Sequence, residues 1–234
     1  MYRKFRASGD FYIPAIELID VKIGYGNEMI LKGVNLKVYP GEKVAIMGRS
    51  GSGKTTLLKT ISGLLKPFKG SVRIFGRDLY QERFLNGKIA YIPQNIGLIN
   101  SANVLYNVLL ARASLKPINF LLNIWSRRDQ KDAMDVLDIV KLRDKFLSKV
   151  EKLSGGEKQR VAIARALYQG ADILLADEPV SNLDLETAAE VLNVITEVSQ
   201  KGIAIVAVMH DIQLTHKYFD KIYILEKGVL REKN

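Results

Sequence analysis

The stretch Gly48-Arg49-Ser50-Gly51-Ser52-Gly53-Lys54-Thr55-Thr56 constrains this chain more than any other. It fits the phosphate-loop pattern G-x-x-x-x-G-K-[ST]. Its flanks agree: Lys43–Met47 reads as a short apolar strand ahead of it, and Lys54–Leu65 as a helix behind it, with Pro67 and Gly70 marking the end. In that setting the glycines let the backbone curl so that successive N–H groups point inward at phosphate oxygens. The helix adds the positive end of its dipole. Lys54 is the candidate to reach the β- and γ-phosphates, and Thr55 to supply a hydroxyl to Mg²⁺.

Along the rest of the chain, strand-like runs alternate with helical ones, which indicates an α/β layered fold. Early strands are expected at Ile16–Ile23, Val34–Val38, Ser71–Phe75 and Lys88–Ile92. Between Ser101 and Gly155 the β-type runs vanish, and helical patterns at Ala102–Ala113 and Asp129–Val140 take over. This middle reads as a helical subdomain inserted into the core. Alternation then resumes with a helix at Gly156–Tyr168, a buried strand at Ile173–Ala176, a helix at Asp184–Ser199 and a strand at Ile203–Val208. Ile222–Leu225 and Val229–Arg231 flank Glu226-Lys227-Gly228 as a closing hairpin. The organisation expected is a single domain over 1–234. Residues 1–95 and 170–234 form its core and β part, and about 96–169 form the helical subdomain.

The run Asp172-Ile173-Leu174-Leu175-Ala176-Asp177-Glu178 delivers two adjacent acids at the end of an apolar strand, where ligands bind in open α/β sheets. Asp177 is the candidate to hold Mg²⁺, directly or through water, and Glu178 to polarise an attacking water. Taken alone, the pair also reads as a solvated acidic turn; the phosphate loop upstream favours the chemical reading. Composition removes other chemistries. The chain has no cysteine and two histidines, so disulfides, thiolate metal sites and cysteine nucleophiles are excluded. No apolar run reaches the roughly 20 residues needed to span a bilayer, and Met1–Asp10 is basic without a following apolar stretch like that of a signal peptide. The formal charge of +10 suits an anionic ligand, an anionic membrane face or nucleic acid, without choosing among them.

Between loop and acids lies Leu153-Ser154-Gly155-Gly156-Glu157-Lys158-Gln159-Arg160. Ser154 and two glycines just before a helix present N–H groups and a hydroxyl to an anion; the same residues read as a plain helix N-cap with an acid in the first turn, and both readings can hold together. This octet resembles the signature of the ATP-binding cassette (ABC) superfamily, with Glu157 where glutamine is usual. Other pieces similar to the family occur in its order. Tyr25 is like the aromatic that stacks on adenine, and Gln94 like the Q-loop glutamine. Ser181-Asn182-Leu183-Asp184 resembles the D-loop, and His210 the switch histidine. Individually, Tyr25 could be a turn aromatic, Gln94 a loop polar group and Asp184 a helix N-cap; His216 fits no motif.

The resemblance covers nearly the whole chain. It implies a P-loop NTPase core of ABC type with an antiparallel β subdomain and an inserted helical subdomain, and an ATPase using ATP and Mg²⁺. The nucleotide would be held by Tyr25, Gly48, Arg49, Ser50, Gly51, Ser52, Gly53, Lys54, Thr55 and Thr56. Thr55, Gln94 and Asp177 would serve the metal, and Glu178, His210 and Gln94 the hydrolysis. Two subunits would meet head to tail, with Ser154, Gly155, Gly156 and Glu157 of one covering the nucleotide of the other and Asp184 linking the sites.

One cassette without a transport path implies a peripheral subunit on the cytoplasmic face of the cell membrane, working with separate transmembrane permease subunits. An importer would add an extracytoplasmic substrate-binding protein. Val104–Arg112, Asn119–Trp125 and Leu175–Ser181 look like ATPases of phosphonate importers, which implies a phosphonate or similar small anion as cargo. Glu157 and Ala207-Val208-Met209 before His210 depart from that pattern, and Ala176–Pro179 with Asn182–Asp184 is shared with lipoprotein-release and macrolide-export ATPases. A cassette acting on nucleic acid or the ribosome fits less well, since those usually carry two cassettes or a long coiled-coil insertion. Ile118–Trp125 reads either as a docking segment or as packing within the helical part.

Overall fold

The computed structural model describes residues 13–25, 28–81, 87–113 and 125–233. In chain order its strands are β1 (Ile16–Tyr25), β2 (Glu28–Val38), β3 (Lys43–Met47), β4 (Lys69–Ile74), β5 (Arg77–Asp78), β6 (Ile89–Ile92), β7 (Ile173–Asp177), β8 (Ala204–Val208), β9 (Lys221–Glu226) and β10 (Val229–Glu232). The α-helices are α1 (Lys54–Ile61), α2 (Val104–Leu109), α3 (Arg127–Ile139), α4 (Gly155–Gln169), α5 (Leu185–Ser199) and α6 (Ile212–Tyr218).

The strands form two sheets. One is antiparallel, in the order β2-β1-β4-β5; the other runs β10-β9-β3-β8-β7-β6. In the second sheet β3 is parallel to β8 and β9, and β7 is parallel to β6 and β8. Parallel pairing sends the carboxyl ends of β3, β8, β7 and β6 to one edge, where the loops after them meet. That edge is where a ligand site forms in this class of sheet.

Strand alternation builds two cores at once. Ile46, Ile173, Leu175 and Val206 turn to the antiparallel sheet and α1, joining Ile16, Leu57, Leu58 and Ile74. Ala45, Leu174, Ala176 and Ile205 turn to the helical side, joining Val108, Leu137, Ile163 and Leu192. A strand covered on both faces has no polar position to offer, which is why Ile173–Ala176 is continuously apolar. In β1 the parity changes midway: Ile16 and Leu18 point inward, then Val21 and Ile23. A bulge between Leu18 and Val21 inserts the extra residue, with Asp20 at φ 46°.

The closing hairpin forms as expected, β9 pairing antiparallel with β10 through Lys227 and Gly228, both at positive φ. The Gly228 carbonyl accepts from Lys32 N–H and ties this hairpin to the other sheet. On the helical side α2 and α3 both pack against α4.

Some expectations shift. The helix after the phosphate loop stops at Ile61 rather than Leu65. Gly63 takes φ 82°, and the Tyr80 hydroxyl lies 2.8 Å from the Thr60 carbonyl and 2.7 Å from the Leu65 carbonyl, its one proton shared between them. The expected helix over Ala102–Ala113 narrows to α2, capped by the Asn103 side chain, followed by a 3₁₀ turn over Leu110–Arg112. β5 and α6 have too few residues to show a period. Most of the Ile118–Trp125 segment lies outside the described residues; Trp125 itself packs against the helical-side core.

Candidate nucleotide site

The loop after β3 curls through Gly48, Gly51 and Gly53, all at positive φ. Two of these glycines are also forced by space. A Cβ on Gly48 would lie 2.4 Å from the Leu225 carbonyl, and one on Gly53 would lie 2.8 Å from Ile30 Cγ2. Inside the curl, Lys54 is buried, and its ammonium donates to the Gly48 and Arg49 carbonyls at 2.9 and 3.0 Å. Burial pushes the Lys54 ammonium below its ordinary pKa; the charges of Glu178 and Asp177 push back.

This loop fits a polyphosphate on two counts. Ser52 Oγ is buried with no partner among the described residues. Gly53 caps α1 without a side chain, and the first turn of α1 holds no acid. By contrast, α2 through α6 are each capped by the side chain of Asn103, Ser126, Ser154, Asp184 or Asp211. The exposed Thr55 and half-buried Thr56 begin the helix, and Arg49 and Ser50 are exposed at the loop tip.

Asp177 lies on the same face of β7 as Ile173 and Leu175, the face toward α1. It is buried, and its Oδ2 accepts from the Tyr91 hydroxyl at 3.2 Å. Burial first, then the charge and hydrogen bond of Asp177, drive the Tyr91 phenol far above its ordinary pKa, so it stays a donor. Sequence reasoning passed over Tyr91. The available signal was a hydroxyl-bearing aromatic inside the buried strand just ahead of Gln94.

Glu178 leaves the strand at φ 55°, a strained value for a side chain of this size. Its carbonyl is held by Ser181, through the hydroxyl at 3.0 Å and the N–H at 3.2 Å. The turn aims its carboxylate between the ends of β6 and β8. Gln94 Nε2 donates to one oxygen at 3.0 Å, and His210 Nε2 lies 2.7 Å from the other. Glu178 is half-buried while Gln94 and His210 are exposed, so the cluster opens to solvent. The structure therefore unites Gln94, Glu178 and His210 by direct hydrogen bonds.

Ser154 to Glu157 form a second, separate group. Ser154 Oγ accepts from Glu157 N–H at 3.2 Å, and the Glu157 carboxylate accepts from Ser154 N–H at 2.9 Å, a complete capping box for α4. Lys145 also donates to Glu157. Burial pushes the Glu157 carboxyl up, but the Lys145 ammonium, the Ser154 N–H and the Arg160 charge together outweigh it and hold the pKa below its ordinary value. Gly155 and Gly156 are needed for closeness rather than for backbone angle. A Cβ on Gly155 would meet Leu183 at 2.8 Å, and one on Gly156 would meet Thr187 Cγ2 at 2.2 Å. Thr187 is in turn held by Asp184, which caps α5 by accepting from its N–H at 2.9 Å and its hydroxyl at 2.7 Å. Those bonds, the N–H first, hold the Asp184 carboxyl below its usual range. Among the described residues no hydrogen bond or ion pair joins Ser154–Glu157 to the phosphate loop.

Tyr25 ends β1, paired with Glu28; its side chain lies outside the described residues. His216, which fits no motif, sits in α6 near Lys233.

Comparison with known proteins bears on the family. Residues 31–181 match the family model described as ABC transporter. A phosphonates import ATP-binding protein of Nostoc sp. is 38% identical over 223 residues, covering 92% of this chain and 84% of the relative. A methionine import ATP-binding protein of Clostridium acetobutylicum is 37% identical over 229 residues, covering 93% and 68%. Among solved structures, a dimeric ATP-binding cassette in a post-hydrolysis state with ADP and Pi superposes with a TM-score of 0.76 at 33% identity, covering 94% of this chain and 98% of that one. With the loop, the acids and the signature lying in one α/β framework that these proteins share, the chain belongs to the ABC transporter family, as one of its ATP-binding, ATP-hydrolysing cassettes.

Proposed function

We propose that this cassette powers a phosphonate-type importer from the cytoplasmic face of the membrane, as a head-to-tail pair bound to permease subunits. One observation carries the catalytic part: Glu178 is held at the carboxyl edge of the parallel sheet by Gln94 and His210, beside the strand that carries Asp177. In this reading Lys54 and the loop N–H groups compensate the β- and γ-phosphate charge. Thr55, Asp177 and Gln94 supply the oxygen donors that Mg²⁺ prefers. The ion, when bound, neutralises charge on the phosphates. Glu178 accepts the proton of the attacking water, and His210 steadies Glu178 and the γ-phosphate. Tyr25 serves the adenine, with Gly48 to Gly53 and Thr56 completing the cradle. Ser154, Gly155, Gly156 and Glu157 face the nucleotide of the second copy. A dimeric relative holding ADP and Pi supports the pairing. Phosphonate as cargo rests on the Nostoc relative; the Clostridium relative makes methionine the second candidate. Among the described residues no helix is long and apolar enough to cross a membrane, so the transport path would belong to partner chains.

The test is Glu178→Gln. Turnover should fall by ~10²–10⁴-fold, the usual range for a lost general base, while ATP still binds. With hydrolysis blocked, ATP–Mg²⁺ should drive a stable dimer that ADP does not, read by light scattering behind a sizing column. Adding Ser154→Arg should prevent that dimer. A Glu178→Gln protein with normal turnover would overturn the assignment of the base.

A further inference from the structure

Glu157 poses an electrostatic difficulty for the proposed pairing. A carboxylate in the first turn of α4 sits beside Ser154, where the second copy must bring its polyphosphate. Both oxygens of Glu157 are committed: one accepts from Ser154 N–H, the other from the Lys145 ammonium. The Lys145 segment is fixed in advance by backbone bonds to α2 and its approach. Leu105 N–H donates to Phe146, Val104 N–H to Ser148 and Val150 N–H to Ala102. Among the described residues, a second cation acting on Glu157 is Arg160, which also pairs with Glu190 at 3.6 Å. Among the described residues, Lys145 is therefore the cation in direct contact with the acid.

We propose that Lys145 is a positioning residue for the phosphate-facing end of α4: its ammonium cancels the Glu157 carboxylate beside Ser154, so that the partner's nucleotide can approach. This rests on the reading of Ser154–Glu157 as the surface that covers the second copy's nucleotide. Without Lys145, Glu157 would still cap the helix, but its charge would face an incoming anion with no direct ion-pair partner, leaving the Arg160 charge that Glu190 shares.

The experiment uses full-length Glu178→Gln protein and reads the ATP concentration that converts half of it to dimer, by light scattering. Lys145→Met keeps the apolar stem and removes the charge. It should raise that concentration at least about fivefold, the least expected of one uncompensated charge some ~4 Å from a phosphate even at the dielectric of bulk water. ADP affinity of the monomer should stay the same, since Lys145 is no part of the loop. Adding Glu157→Gln should return dimerisation to the parent value, and added salt should shrink the Lys145→Met defect. A Lys145→Met protein that dimerises like the parent overturns the inference. So does a double variant that stays as defective as the single one, because the role would then be structural. Ser154→Arg separates the two levels. If Ser154→Arg blocks the dimer while Lys145→Met is silent, only the role of Lys145 falls. If Ser154→Arg is silent too, the surface itself has been misassigned.

Discussion

A hydroxyl bonded to one oxygen of Asp177 fixes the rotation of that carboxylate and leaves its other oxygen free of that bond. Tyr91 supplies the hydroxyl from the neighbouring strand. Tyr91→Phe should raise the Mg²⁺ concentration for half-maximal turnover about tenfold, since a hydrogen bond to a charged group contributes roughly 1.5–3 kcal/mol. Nucleotide affinity measured without Mg²⁺ should hardly move. An unchanged Mg²⁺ titration would show that Asp177 is oriented by something else. Lys54→Ala should act in the opposite pattern, abolishing tight nucleotide binding with and without the metal, because the ammonium that fills the loop is gone; equilibrium binding reads this directly. At this scale the sequence disclosed whatever a local motif encodes. Lys54, Asp177 and Glu178 stand in short patterns with a mechanism. Tyr91 does not, because its partner is 86 positions away and the two meet only through strand pairing.

Helices α4 and α5 meet at their N-termini, where the signature glycines leave room for Leu183 and Thr187. Gly156→Ala would gain up to about 1 kcal/mol of helix propensity, yet the new methyl would sit 2.2 Å from Thr187 Cγ2. Overpacking costs typically about 1–3 kcal/mol, so the clash should win and the variant should unfold at lower denaturant. Thr187→Ser removes that methyl while keeping the hydroxyl bonded to Asp184, and should rescue most of the loss. Failure of the rescue would place the strain elsewhere. Titration gives a second check on this corner. The pKa of Glu157 is held below its unfolded value, so its contribution is complete above the ordinary carboxylate range and is lost as pH falls through the lowered value. Glu157→Gln should flatten that part of the acid limb of stability. Long periodic elements such as α4, α5 and β7 were legible in the sequence within a residue or two. Asp184 shows the limit: its cap was readable, but its indirect support of Gly156 through Thr187 needs two helices placed in space.

The whole molecule hangs on a central sheet buried on both faces, so anything that grips its carboxyl edge is felt by both cores. ATP at about 100 times its Kd should stabilise the fold by about 2.7 kcal/mol. For a chain of this size that amounts to a rise in Tm of roughly 5–10 °C. Lys54→Ala should erase the rise without lowering the unliganded Tm to the same extent; thermal melts with and without nucleotide decide it. The layered α/β architecture was legible from alternating strand and helix runs. The switch of β1 from one parity to the other was not, because a bulge leaves no mark in composition. The close seating of α4 on α5 also has a bearing on timing. Under the proposed head-to-tail pairing, the end of α4 would face the neighbour's nucleotide while Glu178, just upstream of α5, would serve its own. Gly156 leaves no room for a Cβ beside Thr187, so under that proposal a shift of α4 at the neighbour's phosphate would be felt at the start of α5, just downstream of the turn that carries Glu178.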